Sequence, residues 1–173
     1  MTVDPKSLSR FDGSQGPRKI GPSEGKLVDL GSIGARFIAW TDETGGDFSL
    51  VEHPMAPRRL AVGLHKHSRE DEYSYVVEGR MGAMLGDDVV YADVGDFVFK
   101  PREQWHTFWN AGDEPCRILE IISPGGFEQA FREIDTLEGE PDPSAIVAIA
   151  ARYGCEVDFE GTMPVVERHG LAF

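Results

Sequence analysis

The sequence predicts an all-β chain, an antiparallel sandwich or barrel of the jelly-roll kind, with two α-helices at its C-terminal end. Three observations carry that prediction. Short β-type runs recur between Leu27 and Ser123, among them ARFIAW, DFSLVEH, YSYVVE, VVYA, DFVFK, HTFW and CRILEII. Turn chemistry separates them at short intervals: Thr44-Gly45-Gly46, the stretch from Pro54 to Pro57, Glu78-Gly79, Gly86-Asp87, Gly95-Asp96, and Asn110 to Pro115. Helical periodicity sets in only beyond Pro124. About ten short strands with no helix between them close most readily as an antiparallel barrel.

Taken in order, residues 1–26 form a flexible N-terminal arm, because the stretch DGSQGPRKIGPSEGK is rich in Gly, Pro, Ser and charge and has no apolar period. Residues 27–126 make the barrel. Phe127, Ala130, Phe131, Ile134 and Leu137 then recur at helical spacing up to Gly139. A second helix opens with Asp142 as N-cap and Pro143 at its first position, carries Ile146, Ile149, Ala150 and Tyr153 on one face, and stops at Gly154. The closing stretch EVDFEGTMPVVERHGLAF is too short and irregular to be a domain, so residues 127–173 read as a helical extension of the barrel domain.

A chain of 173 residues and 19.1 kDa has the size of one domain. Folding at this size buries about 70% of the open chain's surface, enough for a core without staples. Thirty acidic residues against 17 basic ones give a formal net charge of −13, which repels phosphate backbones and anionic lipid surfaces. Neither nucleic acid nor a membrane is an expected partner. The start MTVDPKSLSR lacks the apolar core of a signal peptide, and the longest apolar run, Ala145 to Ala151, is far too short to span a bilayer. A cytoplasmic protein is the expectation. Cys116 and Cys155 share no metal-type spacing and sit among apolar neighbours, so they read as buried free thiols.

Two of the five histidines, His65 and His67, are spaced so that a strand turns both imidazoles to one face. The full register is His65-x-His67-x4-Glu72-x6-Gly79, followed by Gly95-x5-Pro101-x4-His106-x3-Asn110. This resembles the paired motifs of the cupin superfamily, in single-barrel bacterial members similar to quercetin dioxygenases. The likeness spans roughly residues 48–125; the Thr44 to Leu50 stretch and the SPGGFE segment at 123–128 also look like those proteins. The resemblance implies a small jelly-roll barrel in which His65, His67, Glu72 and His106 converge on a metal. Two positions depart from the pattern: Arg59 stands at the family's opening Gly, and Glu103 at the Gly two residues after Pro101. A Gly there permits a tight turn, so the loop from Pro101 to Trp105 is expected to differ in shape, with Glu103 an exposed loop carboxylate near the site mouth.

Three neutral imidazoles and one carboxylate suit a divalent transition metal, Fe, Mn, Ni, Cu or Zn, and octahedral geometry leaves two positions open. Strand parity places Phe108 and Asn110 on the face of His106, and Ser74 and Val76 on that of Glu72, lining a partly apolar substrate pocket. Phe97 and Phe99 read as barrel packing. Tyr73, Tyr75 and Trp109 face outward and should be covered by the helices or by a second subunit; homodimers are what the resemblance implies. The resemblance further implies a metal-dependent dioxygenase for a small aromatic or enolic compound, with Glu72 as ligand and general base. The alternatives are an isomerase or decarboxylase on the same barrel, or a metal-containing module that binds a small molecule without turnover. His53 and His169 lie outside both motifs and receive no role.

Overall fold

The computed structural model describes residues 19–137 and 142–173. The predicted arm falls mostly on residues 1–18, and the end of the first helix at Gly139 on residues 138–141, all outside the described residues. Among the described residues, eleven strands form two antiparallel sheets. Leu27–Asp29 (β1), Gly34–Ala39 (β2), Ser49–Met55 (β3), Asp71–Glu78 (β5), Phe97–Lys100 (β8) and Cys116–Ser123 (β10) build a six-stranded sheet in the order β1-β2-β3-β10-β5-β8. Leu64–His67 (β4), Arg80–Leu85 (β6), Asp88–Asp93 (β7), His106–Asn110 (β9) and Cys155–Asp158 (β11) build the second, in the order β11-β4-β9-β6-β7. The expected antiparallel jelly roll is the observed fold.

Alternation fills the space between the sheets. Val76, Val98, Ile118, Met81, Ala83 and Phe108 project from both inner faces into one apolar cluster. The helices Glu128–Ile134 (α1) and Pro143–Arg152 (α2) bring Phe127, Ala130, Ile134, Ile149 and Ala150 into a second cluster with Val51 and Ile122. Asp142 caps α2 as predicted, its carboxylate accepting the Ser144 N–H at 2.8 Å.

The tail does more than its sequence suggests. β11 pairs with β4 over four residues, and a third helix, α3 (Phe159–His169), follows it. Asp158 caps α3, and Gly170 ends it in the left-handed conformation. Val165 and Leu171 from this segment, together with the His169 ring at 4.5 Å, cover Trp109, which is fully buried. A helix therefore does cover that outward aromatic, but it is a helix absent from the sequence reading.

Phe97 and Phe99 correct the barrel-packing assignment. Their burial alternates with that of Val98 and Lys100 the other way round, leaving them 57% and 46% exposed on the outer face of the six-stranded sheet. There Tyr73 stacks on Phe99 at 5.0 Å, beside exposed Tyr75 and Ile121. Among the described residues no helix is long and apolar enough to cross a membrane.

Candidate metal centre

The two sheets contribute unequally. β4 buries Leu64, His65 and His67 and leaves Lys66 half-buried, so the alternation read from the sequence turns both imidazoles inward. His65 pairs in register with His106 on β9, and the two rings lie 4.3 Å apart. Glu72 reaches across from β5 of the opposite sheet. One donor atom from each of His65, His67, Glu72 and His106 lies within 4.8 Å of the other three, and all four residues are buried. The structure thus brings together the four residues picked out by the motif.

Ring contacts set the donor atoms. His65 Nδ1 donates to the Gly63 carbonyl at 2.9 Å, and His106 Nδ1 to that of Gln104 at 3.0 Å. Burial, followed by the neighbouring imidazoles, pushes His65 well below its ordinary range, and burial also lowers His106, so both rings are neutral. A neutral ring has one proton. Spent on Nδ1, it leaves Nε2 as a bare lone pair, the form a metal binds. At His106 that lone pair lies 3.2 Å from Glu72 Oε2, so one proton faces two acceptors. His67 Nε2 lies 3.1 Å from Glu72 Oε1, yet among the described residues neither His67 nitrogen makes a hydrogen bond. A cation among these lone pairs resolves both conflicts, and the donor set fits a divalent transition ion.

Sequence reasoning missed the groups that hold Glu72. Lys100 is fully buried and links two carboxylates on the inner face of its own sheet, its Nζ 2.9 Å from Glu72 Oε2 and 3.0 Å from Glu120 Oε2. Burial alone would lower the ammonium, but Glu120 and Glu72 outweigh it and keep it charged. Burial likewise opposes ionisation of Glu72, whereas Lys100, His67 and His106 together hold its carboxyl well below the usual range. Glu120, with Ser74 Oγ donating at 2.8 Å, is pushed by burial to about 7 against the pull of Lys100. Glu70 adds a third buried carboxylate beside the cluster, its Oε2 3.8 Å from His67 Nδ1.

Of the predicted pocket residues, Ser74 belongs to this network. Phe108 lies under Lys100, whose Nζ is 4.3 Å from the ring centroid. Val76 packs in the apolar cluster. Asn110 spends its side chain on backbone, donating to the Met55 and Glu114 carbonyls and accepting from the Gly112 N–H. Glu103 is exposed with φ +63°, so it adopts the turn a Gly would permit, and its N–H bonds the His67 carbonyl at 2.7 Å. A cleft of about 280 Å³ between β7 and β8, bordered by Leu85, Tyr91, Phe97 and Phe99, is separate from the four clustered residues. Both cysteines are free and buried, which raises their thiols, that of Cys116 to about 11.

Residues 52–122 match the cupin domain family. The tetracenomycin polyketide synthase protein TcmJ of Streptomyces glaucescens is 30% identical over 125 residues, 72% of this chain and 76% of that protein. The chain belongs to the cupin family. A second relative of this cupin, polyketide synthase CurC of Streptomyces cyaneus, is 29% identical over 75 residues, covering 43% of this chain and 49% of its own length. Among solved structures, KdgF from Halomonas sp. superposes with a TM-score of 0.57 at 19% identity, over 65% of this cupin and 98% of that chain. A predicted oxalate decarboxylase from Thermotoga maritima gives 0.57 at 20% identity, over 62% and 99%. These similarities concern the fold.

Proposed function

We propose that this cupin is a metal-dependent enzyme, a dioxygenase acting on a small aromatic or enolic compound, with His65, His67, Glu72 and His106 as the metal ligands. One observation carries the reading: two buried neutral imidazoles with their protons committed to backbone carbonyls and a third without any hydrogen bond converge on one ionised carboxylate. A divalent ion bound there supplies Lewis acidity toward a substrate oxygen and, if redox-active, reactivity toward dioxygen.

The chain's own groups supply the rest. Glu72 is held ionised, so it can take the proton of an enol or phenol while Lys100 steadies its Oε2. Phe108, with the Lys100 ammonium over its ring, forms an apolar wall of the barrel interior beside Glu72. The enclosed site keeps water from competing for the deprotonated substrate. The exposed aromatic face of Tyr75, Phe97 and Phe99 supports a homodimer formed through the six-stranded sheet.

The names of TcmJ and CurC favour a second reading. Polyketide chains alternate carbonyls and are readily enolised, and the same carboxylate and metal would serve a ring-closing or isomerising step without oxygen. Metal analysis of the purified protein, combined with oxygen uptake over flavonols, enediols and diketones, separates the two. A full metal complement and oxygen consumption support the dioxygenase. Bound metal without oxygen consumption moves the assignment to non-redox chemistry. Metal content unchanged in the double variant His65→Ala, His106→Ala refutes the ligand assignment.

A further inference from the structure

His53 lies on β3, outside both motifs, yet it is buried on the inner face of the six-stranded sheet, in register with Ile118. Its Nδ1 donates to the Gly34 carbonyl at 2.8 Å, which fixes the tautomer and leaves Nε2 as an acceptor. Among the described residues no group bonds that Nε2, and it is not one of the unpaired atoms sealed from open space. Burial lowers the imidazole to about 4, so it stays neutral, with Lys100, Glu72 and Glu52 the charged groups it senses. Its surroundings lead to the metal centre. The ring faces Phe108 at 6.3 Å and Phe131 of α1 at 5.7 Å; Lys100 caps the same Phe108 and bridges to Glu72.

We infer that His53 is a specificity residue of the barrel: its Nε2 accepts a hydrogen bond from a second hydroxyl of a phenolic or enolic ring that lies against Phe108 with its first oxygen at the metal centre. The inference rests on the enol-binding reading above and adds a requirement, since a ring without the second hydroxyl leaves Nε2 unmatched. A buried neutral acceptor discriminates strongly between ligands that donate to it and ligands that cannot.

The test uses the cobalt(II)-loaded protein and two chelating probes, ortho-hydroxyacetophenone and resacetophenone, which differ by one ring hydroxyl para to the carbonyl. Binding is followed through the cobalt absorption bands. Wild type is expected to prefer resacetophenone by about tenfold, the worth of one buried hydrogen bond. His53→Asn keeps a donor for the Gly34 carbonyl but has no atom at the Nε2 position, and it should abolish the preference without changing the affinity for ortho-hydroxyacetophenone. His53→Gln, which places an amide near Nε2, should restore part of it. Equal binding of the two probes by wild type, or a preference retained in His53→Asn, overturns the role of His53 alone. No change in the cobalt bands with either probe overturns the enol-binding reading and the inference with it.

Discussion

Replacing Lys100 with Met tests the network that holds the metal centre. The substitution keeps the apolar stem over Phe108 and removes the ammonium standing 2.9 Å from Glu72 and 3.0 Å from Glu120. Glu72 retains the imidazoles of His67 and His106, whereas Glu120 is left with the Ser74 hydroxyl alone. Stranding one partner of a buried ion pair costs about 3–5 kcal/mol, a large part of the roughly 5–15 kcal/mol that holds a domain of this size together. In chelator at about pH 9, above the value of about 7 to which burial raises Glu120, the stranded carboxyl must stay charged or take up a proton, and the urea-unfolding free energy of Lys100→Met should therefore fall by about 3 kcal/mol or more. Adding Glu120→Gln removes the stranded charge, and the double variant should recover most of the loss, a coupling of about 2–3 kcal/mol. Excess Zn(II) should rescue the single variant more than wild type, because the ion then balances a Glu72 that has lost its ammonium. A single-variant loss below about 1 kcal/mol, or strictly additive effects of the two substitutions, would refute the proposed bridge.

Two further outcomes follow from the same structure. Glu103→Gly should stabilise the protein by about 0.5–1 kcal/mol, because Glu103 holds φ +63° on an exposed loop and the bond from its N–H to the His67 carbonyl is unaffected by the side chain; a lower melting temperature would contradict this. Acid should weaken the metal-free protein in a defined window. His53, His65 and His106 all sit below their unfolded pKa near 6.5, His53 at about 4, so the unfolded chain binds protons first as pH falls. Each such imidazole lowers stability by up to about 1.4 kcal/mol per pH unit below 6.5, until its folded pKa is reached. Glu120, raised to about 7, and Glu70, also raised by burial, act in the opposite sense over the same range, and three imidazoles against two carboxyls leave a net decline. Urea midpoints at successive pH values in chelator measure it, and a flat profile between pH 6.5 and 4 would rule it out.

The parts of this site written in the sequence are those carried by spacing. Period-two alternation on β4 and β9, and the offset to Glu72, were enough to bring four donors from two sheets to one point. Lys100 and Glu120 follow the same alternation, with Val98 on β8 and with Ile118 and Ile122 on β10, but a lysine or glutamate in an apolar strand is normally read as its solvent side. Only the pairing of the strands shows that each residue neutralises the other. α3 escaped for a different reason. Pro164 interrupts its helical period, and its buried residues, Thr162 and Val165, are too few to make a face without Trp109 to lie on.

The arrangement of β4 has a consequence for biosynthesis. This strand carries two of the four clustered residues but pairs with β9 at one position, His65 with His106, while β11 pairs with it at four. Until Cys155–Asp158 has been synthesised, most of β4 is an open edge with two histidines on it. Assembly of the cluster therefore waits on chain made some ninety residues later. A ribosome-bound or C-terminally clipped chain would expose that edge and hold metal poorly, so that metal retention reports an intact C-terminal strand as well as an intact set of ligands.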